Sequence, residues 1–354
     1  MKISSIIDFS RNNQDLFLSQ LKDFIKIPSI SSSPNNNHDI QNCAKFLYND
    51  LINIGFTNVE IIETKKHPIV YGELFYSKTL PTILIYGHYD VQPVNPLELW
   101  TSPPFEATIR DGRLYGRGTV DDKGQVHLHL KAIESWLKVH KKLPVNIKFI
   151  IEGEEEIGSE NLEPFIKENK NKLDSDLIII SDTSMIKKGF PSITYGLRGI
   201  SYFQLDVKGT SQDLHSGMYG GAVKNPINAL VEILSKLRNS NGKILIPNFY
   251  DKVRKILPSE RKSFSELPFD ELEFQKNIQA PKLFNEKEYS ILESLWCRPS
   301  LDINGIWGGF TEEGSKTVIP SEAHAKVSLR LVPDQNPNEI ETLFENYIKK
   351  ISPN

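Results

Sequence analysis

Four separated stretches of this sequence carry residues suited to chemistry. Ile83-Leu84-Ile85-Tyr86 is a short apolar run of the kind a buried strand shows, and Gly87 after it turns the chain into a loop. His88 and Asp90 follow, two residues apart, so in extended backbone their side chains share one face. Asp121-Asp122 stands just ahead of a helix that opens at Lys123-Gly124, and Glu152-Gly153-Glu154-Glu155-Glu156 follows the strand Val145–Ile151. Asp182 follows a further apolar strand over 177–181. Each alone has an ordinary explanation: a strand-end His bonded to a local Asp, a helix cap at Asp121, a solvated Glu turn, and a strand-end cap at Asp182.

Taken together they imply one histidine and at least three carboxylates at one edge of one sheet. Such a cluster of negative charge repels itself in a cleft, and a divalent cation removes the repulsion. Mixed imidazole and carboxylate ligation suits zinc. Adjacent Glu155 and Glu156 point in different directions, so one can bind metal while the other faces substrate. A carboxylate beside metal-activated water can serve as general base.

The motifs Gly87-His88-Tyr89-Asp90-Val91-Gln92-Pro93, Gly116-Arg117-Gly118-Thr119-Val120-Asp121-Asp122-Lys123-Gly124, Glu152-Gly153-Glu154-Glu155-Glu156-Ile157-Gly158-Ser159 and Asp213-Leu214-His215-Ser216-Gly217 resemble those of the co-catalytic di-zinc metallopeptidases. That family includes carnosinase-like dipeptidases, aminoacylases, glutamate carboxypeptidases, acetylornithine deacetylase and succinyl-diaminopimelate desuccinylase. The Gln92-Pro93 pair and the Asp-Leu-His-Ser-Gly motif look most like the dipeptidase branch. The resemblance runs from about residue 15 onward, with the motifs in the family's order.

It implies zinc-dependent hydrolysis of dipeptides or short peptides, with an N-acyl amino acid deacylase or a catalytically silent member as alternatives. Residue by residue, His88 and Asp182 would bind the second zinc, Glu156 the first, and Asp121 would bridge both. Asp90 would orient His88, Glu155 would be the general base, and the Asp121–Asp122 bond would be cis. Aligning on Gly158-Ser159 makes Glu155 and Glu156 the functional pair; a shift of one residue is the alternative. His215 matches a residue that reaches the active site of the partner subunit and stabilises the oxyanion. Thr317 and Arg330 match substrate-contacting positions, Arg330 being suited to a terminal carboxylate. The family also closes its first zinc site with a later histidine. The histidines here are 38, 67, 88, 127, 129, 140, 215 and 324, and none of these matches it, so the chain is expected to end inside its second domain.

Helices are expected near 12–26, 39–54, 123–140 and 160–172, and strands at 58–62, 69–75, 82–87, 145–152 and 177–181. Continuous apolar strands alternating with helices predict an α/β fold, a mainly parallel sheet covered by helices on both faces, with functional groups beyond the strands' carboxyl ends. The pattern shifts near Gly196–Arg198. The strand Ile200–Lys208 alternates, a helix opens at Asn225-Pro226, strands return near 301–307 and 317–332, and a helix covers 338–350. We therefore expect a catalytic domain over 1–197 and an α+β domain over 198–354, which the resemblance makes a ferredoxin-like lid and dimerisation domain forming a homodimer.

Composition excludes other classes. A net charge of -3, with no basic stretch interleaved with aromatics, argues against nucleic acid, and no window approaches a membrane span. Cys43 and Cys297 cannot form a disulfide framework. The expected compartment is the cytoplasm.

Overall fold

A computed structural model of the chain describes residues 2–353, which divide into two compact units between Ser184 and Met185. The first begins with α1 (Ile3–Asn12), α2 (Gln14–Ile25) and α3 (Asn37–Ile54). Asn13 separates the first two by donating its side-chain amide to Phe9 O at 2.8 Å. Gly55 ends α3 at φ +115°, a conformation glycine adopts without steric penalty. The chain continues through β1 (Asn58–Ile62), β2 (Ile69–Leu74), β3 (Thr82–His88), the hairpin β4 (Thr108–Arg110) and β5 (Arg113–Tyr115), and α4 (Lys123–His140). It then forms β6 (Asn146–Glu152), α5 (Leu162–Glu168), α6 (Lys170–Leu173) and β7 (Leu177–Ile180). The single helix expected over 160–172 is two, parted at Asn169, whose amide donates to Phe165 O.

The sheet order is β1-β2-β6-β3-β7. It is mixed rather than mainly parallel: β3 pairs in parallel with β6 and β7, whereas β2 pairs antiparallel with β1 and β6. Connection length accounts for the parallel pairs of β3 and for the antiparallel pair β1–β2. A parallel neighbour requires a crossover of a dozen or more residues, which α4 and then α5–α6 provide, whereas β1 and β2 are joined only by residues 63–68.

Helices cover both faces, as expected. Phe24, Ile40, Leu47, Val126 and Leu130 pack on the face carrying Val70, Ile85, Ile147, Phe149 and Ile151. Phe165 and Leu173 pack on the other, with Ile69, Tyr71, Leu84 and Ile150. Every residue of β6 is buried, Asn146, Lys148 and Glu152 included, as in a strand covered on both faces.

The second unit holds β8 (Gly199–Lys208), β9 (Leu214–His215), α7 (Ser216–Tyr219), α8 (Pro226–Ser235), α9 (Pro258–Ser265), α10 (Glu271–Asn277), α11 (Ile291–Trp296), β10 (Ser300–Gly308), β11 (Val318–Ile319), β12 (Glu322–Leu331) and α12 (Pro337–Ile351). Its antiparallel sheet runs β10-β12-β8. Leu230 and Leu234 of α8 and Ile340 and Phe344 of α12 pack on the side carrying Phe203, Leu205, Val207, Ala325 and Val327. The strand expected over 317–332 is two strands, because Pro320 offers no N–H to a ladder.

His127 of α4 is 4% exposed, and Nε2 lies 2.8 Å from Phe17 O. Burial, aided by Lys131, pushes its pKa down to about 4. The unfolded chain, with a histidine value of about 6.5, therefore takes up this proton first. The contribution to stability is complete above about pH 6.5 and declines as pH falls toward 4. Urea unfolding at pH 7.5 and 5.0 should show His127→Gln escaping about 2 kcal/mol of the acid destabilisation of the parent.

Candidate metal centre

The parallel register β7-β3-β6 aligns three strand ends: His88 stands opposite Glu152, and Tyr86 opposite Ile180, two residues before Asp182. The site therefore lies beyond the carboxyl ends of adjacent strands. His88 and Asp90 are fully buried. His88 Nδ1 lies 3.1 Å from Asp90 O and 3.3 Å from Asp90 Oδ1. Nε2 faces Asp121 Oδ1 at 3.0 Å and Asp182 Oδ2 at 3.8 Å. Although the Asp121 contact is short, the ring N–H does not point along it, so Nε2 is a buried polar atom without a hydrogen bond. One ligand atom from each of His88, Asp121 and Asp182 falls within 4.8 Å of the others. A ring nitrogen lacking a hydrogen bond and facing two carboxylate oxygens fits a divalent cation.

Asp121 and Asp122 enter from the start of α4, through a cis peptide bond. Asp122 Oδ2 accepts the His88 N–H at 3.1 Å, which explains Gly87: a Cβ there would meet that oxygen at 2.7 Å and Val126 Cγ2 at 2.5 Å. Lys123, fully buried, donates to Ile27 O at 2.6 Å and Phe24 O at 3.2 Å, fixing the start of α4 against the end of α2.

The three consecutive glutamates divide their labour. Glu154 is 2% exposed and accepts from Thr64 Oγ1, His67 N and Asn161 Nδ2 at 2.8–2.9 Å. It is an anchor. Glu155 and Glu156 are partly open, and their backbone N–H groups donate to Asp90 Oδ1 and Oδ2 at 3.2 and 3.0 Å. Gln92 Nε2 donates to Glu156 Oε2 at 2.6 Å. Buried Glu152 holds the base of the turn, accepting from Tyr86 Oη at 2.5 Å and Ser159 Oγ at 2.9 Å.

Electrostatics follows from this crowding. Burial pushes the Glu155 carboxyl up to about 7, with Glu156, Asp182 and Asp90 adding repulsion. Burial likewise raises Asp122 to about 7, and raises Asp182 and Glu156. Contact with His88 holds Asp121 down. For His88, burial disfavours the charged ring, but the neighbouring Asp121 and Asp90 outweigh it and lift the value to about 11. Without a cation, the imidazolium is a positive charge available to these acids, and Arg117 adds to it at Asp121.

In the second unit, β9 and β11 pair His215 with Val318. His215 Nδ1 accepts from Gly217 N at 3.0 Å, so a neutral ring carries its proton on Nε2, which lies 3.1 Å from Thr317 Oγ1. Asp213 accepts from Ser321 N, fastening this ribbon to the start of β12. Arg330 is exposed at the opposite end of β12, where it pairs with Ser300 and Ile200. The structure therefore brings His215 together with Thr317 and leaves Arg330 at the other end of the strand. Sequence reading placed Asp122, Gln92, Glu152, Tyr86 and Ser159 in motifs or strands but gave none of them a role of its own; the signal for Gln92 was its position two residues beyond Asp90 on the same extended loop.

The sequence pattern described as "Peptidase family M20/M25/M40" matches residues 84–341. The chain belongs to this family. It is 35% identical over 354 residues to the Beta-Ala-His dipeptidase of Rattus norvegicus, covering 96% of this chain and 72% of the rat protein. It is 33% identical over 363 residues to the Cys-Gly metallodipeptidase dug1 of Schizosaccharomyces pombe, covering 99% and 76%. Among solved structures, human carnosine dipeptidase 1 superposes with a TM-score of 0.87 at 35% identity, covering 98% of this chain and 76% of that one. The fold is therefore that of an M20 peptidase, with a mixed sheet and helices. Among the described residues no helix is long and apolar enough to cross a membrane.

Loading the site must displace protons, because a ligating imidazole is neutral and His88 is held charged without metal. Calorimetric titration of the metal-free protein with Zn2+ at pH 7, in buffers of different ionisation enthalpy, should show about one or two protons released per chain. A binding heat that does not change with the buffer's ionisation enthalpy would mean no proton release and contradict this electrostatic account.

Proposed function

We propose that this chain is a zinc-dependent dipeptidase that hydrolyses the peptide bond of its substrate with water. One observation carries the reading: buried His88 Nε2 lacks a hydrogen bond and faces Asp121 and Asp182, beside the turn that presents Glu155 and Glu156. His88, Asp121 and Asp182 would hold one ion, and Asp121 with Glu156 would hold a second. When bound they supply Lewis acidity, polarising the scissile carbonyl and acidifying water.

The protein's own groups do the rest. Glu155 accepts the proton of the attacking water and returns it to the leaving amine; its carboxyl, pushed up to about 7 without metal, already sits where protons exchange near neutrality. Asp90 keeps His88 and the glutamate turn in place. The second unit is a ferredoxin-like lid and dimerisation domain in this reading, and two chains pair through it. His215 then acts in the partner subunit's active site, where its Nε2–H, fixed by the Gly217 contact, steadies the oxyanion. Thr317 and Arg330 bind substrate, Arg330 at the terminal carboxylate.

The relatives' names favour dipeptides over N-acyl amino acids. Side-by-side turnover of Cys-Gly, β-Ala-His and an N-acetyl amino acid, with Zn2+ and with chelator, tests this; metal-dependent cleavage of at least one dipeptide is expected. Turnover of the N-acetyl compound alone would overturn it. Glu155→Gln should lower kcat by about 10²- to 10⁴-fold while metal content stays unchanged.

A further inference from the structure

We infer that Gln92 is a positioning residue for the metal centre, acting through Glu156. The inference rests on the reading of Glu156 as a ligand. Gln92 Nε2 carries two N–H groups and lies within reach of two oxygens of the same residue, Glu156 Oε2 at 2.6 Å and Glu156 O at 3.4 Å. The Glu156 backbone N–H is held at 3.0 Å by Asp90, two residues before Gln92 on the same loop. Carboxylate, carbonyl and amide of one residue are thus gripped by two side chains of one short segment.

The geometry has a chemical consequence. A glutamate carboxylate is roughly two-fold about its last torsion, and a hydrogen bond to one oxygen selects which oxygen faces outward. With Oε2 occupied by the amide, Oε1 is the oxygen left to coordinate. The amide is also neutral, so it orients the carboxylate without cancelling the charge a cation requires, as an ammonium or guanidinium would. The loop itself is fastened at the next residue: Arg117 Nη2 donates to Pro93 O at 3.1 Å while its guanidinium lies 5.4 Å from the Trp100 ring centroid. Arg117 precedes Asp121 by four residues, so the segment that positions Glu156 is tied to the one that supplies the bridging carboxylate. Gln92 is exposed, and removing its amide leaves the core packing of the sheet untouched.

The test uses the full chain, stripped of metal and titrated with Co2+, whose visible absorption reports ligand geometry. Gln92→Met keeps the side chain's length and removes its donors. It should weaken binding of the ion that Asp121 and Glu156 would hold about tenfold and alter that ion's absorption band, while the melting temperature of the metal-free protein stays unchanged. Glu156→Ala serves as the reference and should abolish that ion's binding. Gln92→Met binding both ions as the parent does, while Glu156→Ala loses one, would overturn this inference and leave the ligand reading standing. Unchanged binding by Glu156→Ala would overturn the ligand reading, and this inference with it. A lowered melting temperature of the metal-free Gln92→Met protein would make the role one of general stability and overturn the inference too.

Discussion

Asp90 is the buried anion around which the candidate centre is assembled. Its two oxygens accept the backbone N–H groups of Glu155 and Glu156, and the same carboxylate lies 3.3 Å from His88 Nδ1. An isolated carboxylate in such a place would be strongly disfavoured, whereas one that receives two amides and contacts an imidazole is compensated. Because β3 and β6 are hydrogen-bonded neighbours in parallel register, this single group ties the loop after one strand to the turn after the other. The spacing between a candidate ligand and a candidate base is thereby set by backbone geometry rather than by flexible side chains.

The remaining acids are placed so that they tolerate one another only in part. Burial raises Glu155, Glu156, Asp122 and Asp182 together, whereas Asp121, 3.0 Å from the histidine's Nε2, is held low. Binding of cations would exchange protons for metal within a framework already fixed by Lys123, Glu152 and Glu154, none of which faces the ring nitrogen. Rigidity supplied by fully bonded neighbours is what an ion site needs, since coordination distances vary little.

Much of this was legible in the sequence. The strand ends could be read because buried strands are continuous apolar runs, and α4 could be placed over Lys123–His140 because its two ends are marked by an aspartate pair and a cationic stretch. What escaped depended on pairing. Whether β2 runs with or against β6 leaves no trace in either strand's composition, so the mixed character of the sheet was not visible. Helices α9, α10 and α11 lie in a charged, proline-punctuated region where periodicity is weak, and only Pro258 at the first position of α9 and the caps Asp270 and Ser290 announce them. The roles of Gln92 and Asp122, though both lie in recognised motifs, were hidden for a related reason: each matters through a partner dozens of residues away.

The division among the three glutamates constrains the length of their turn as tightly as its composition. Glu154 points inward to a saturated set of donors, while its two successors point outward, and Gly158 and Ser159 close the bend with positive φ. Deleting or inserting a single residue between Gly153 and Gly158 would rotate each carboxylate into its neighbour's place, sending a reactive acid into the interior and the anchoring one into solvent. Sequence drift in this segment is thus open to substitution at some positions but closed to changes of register.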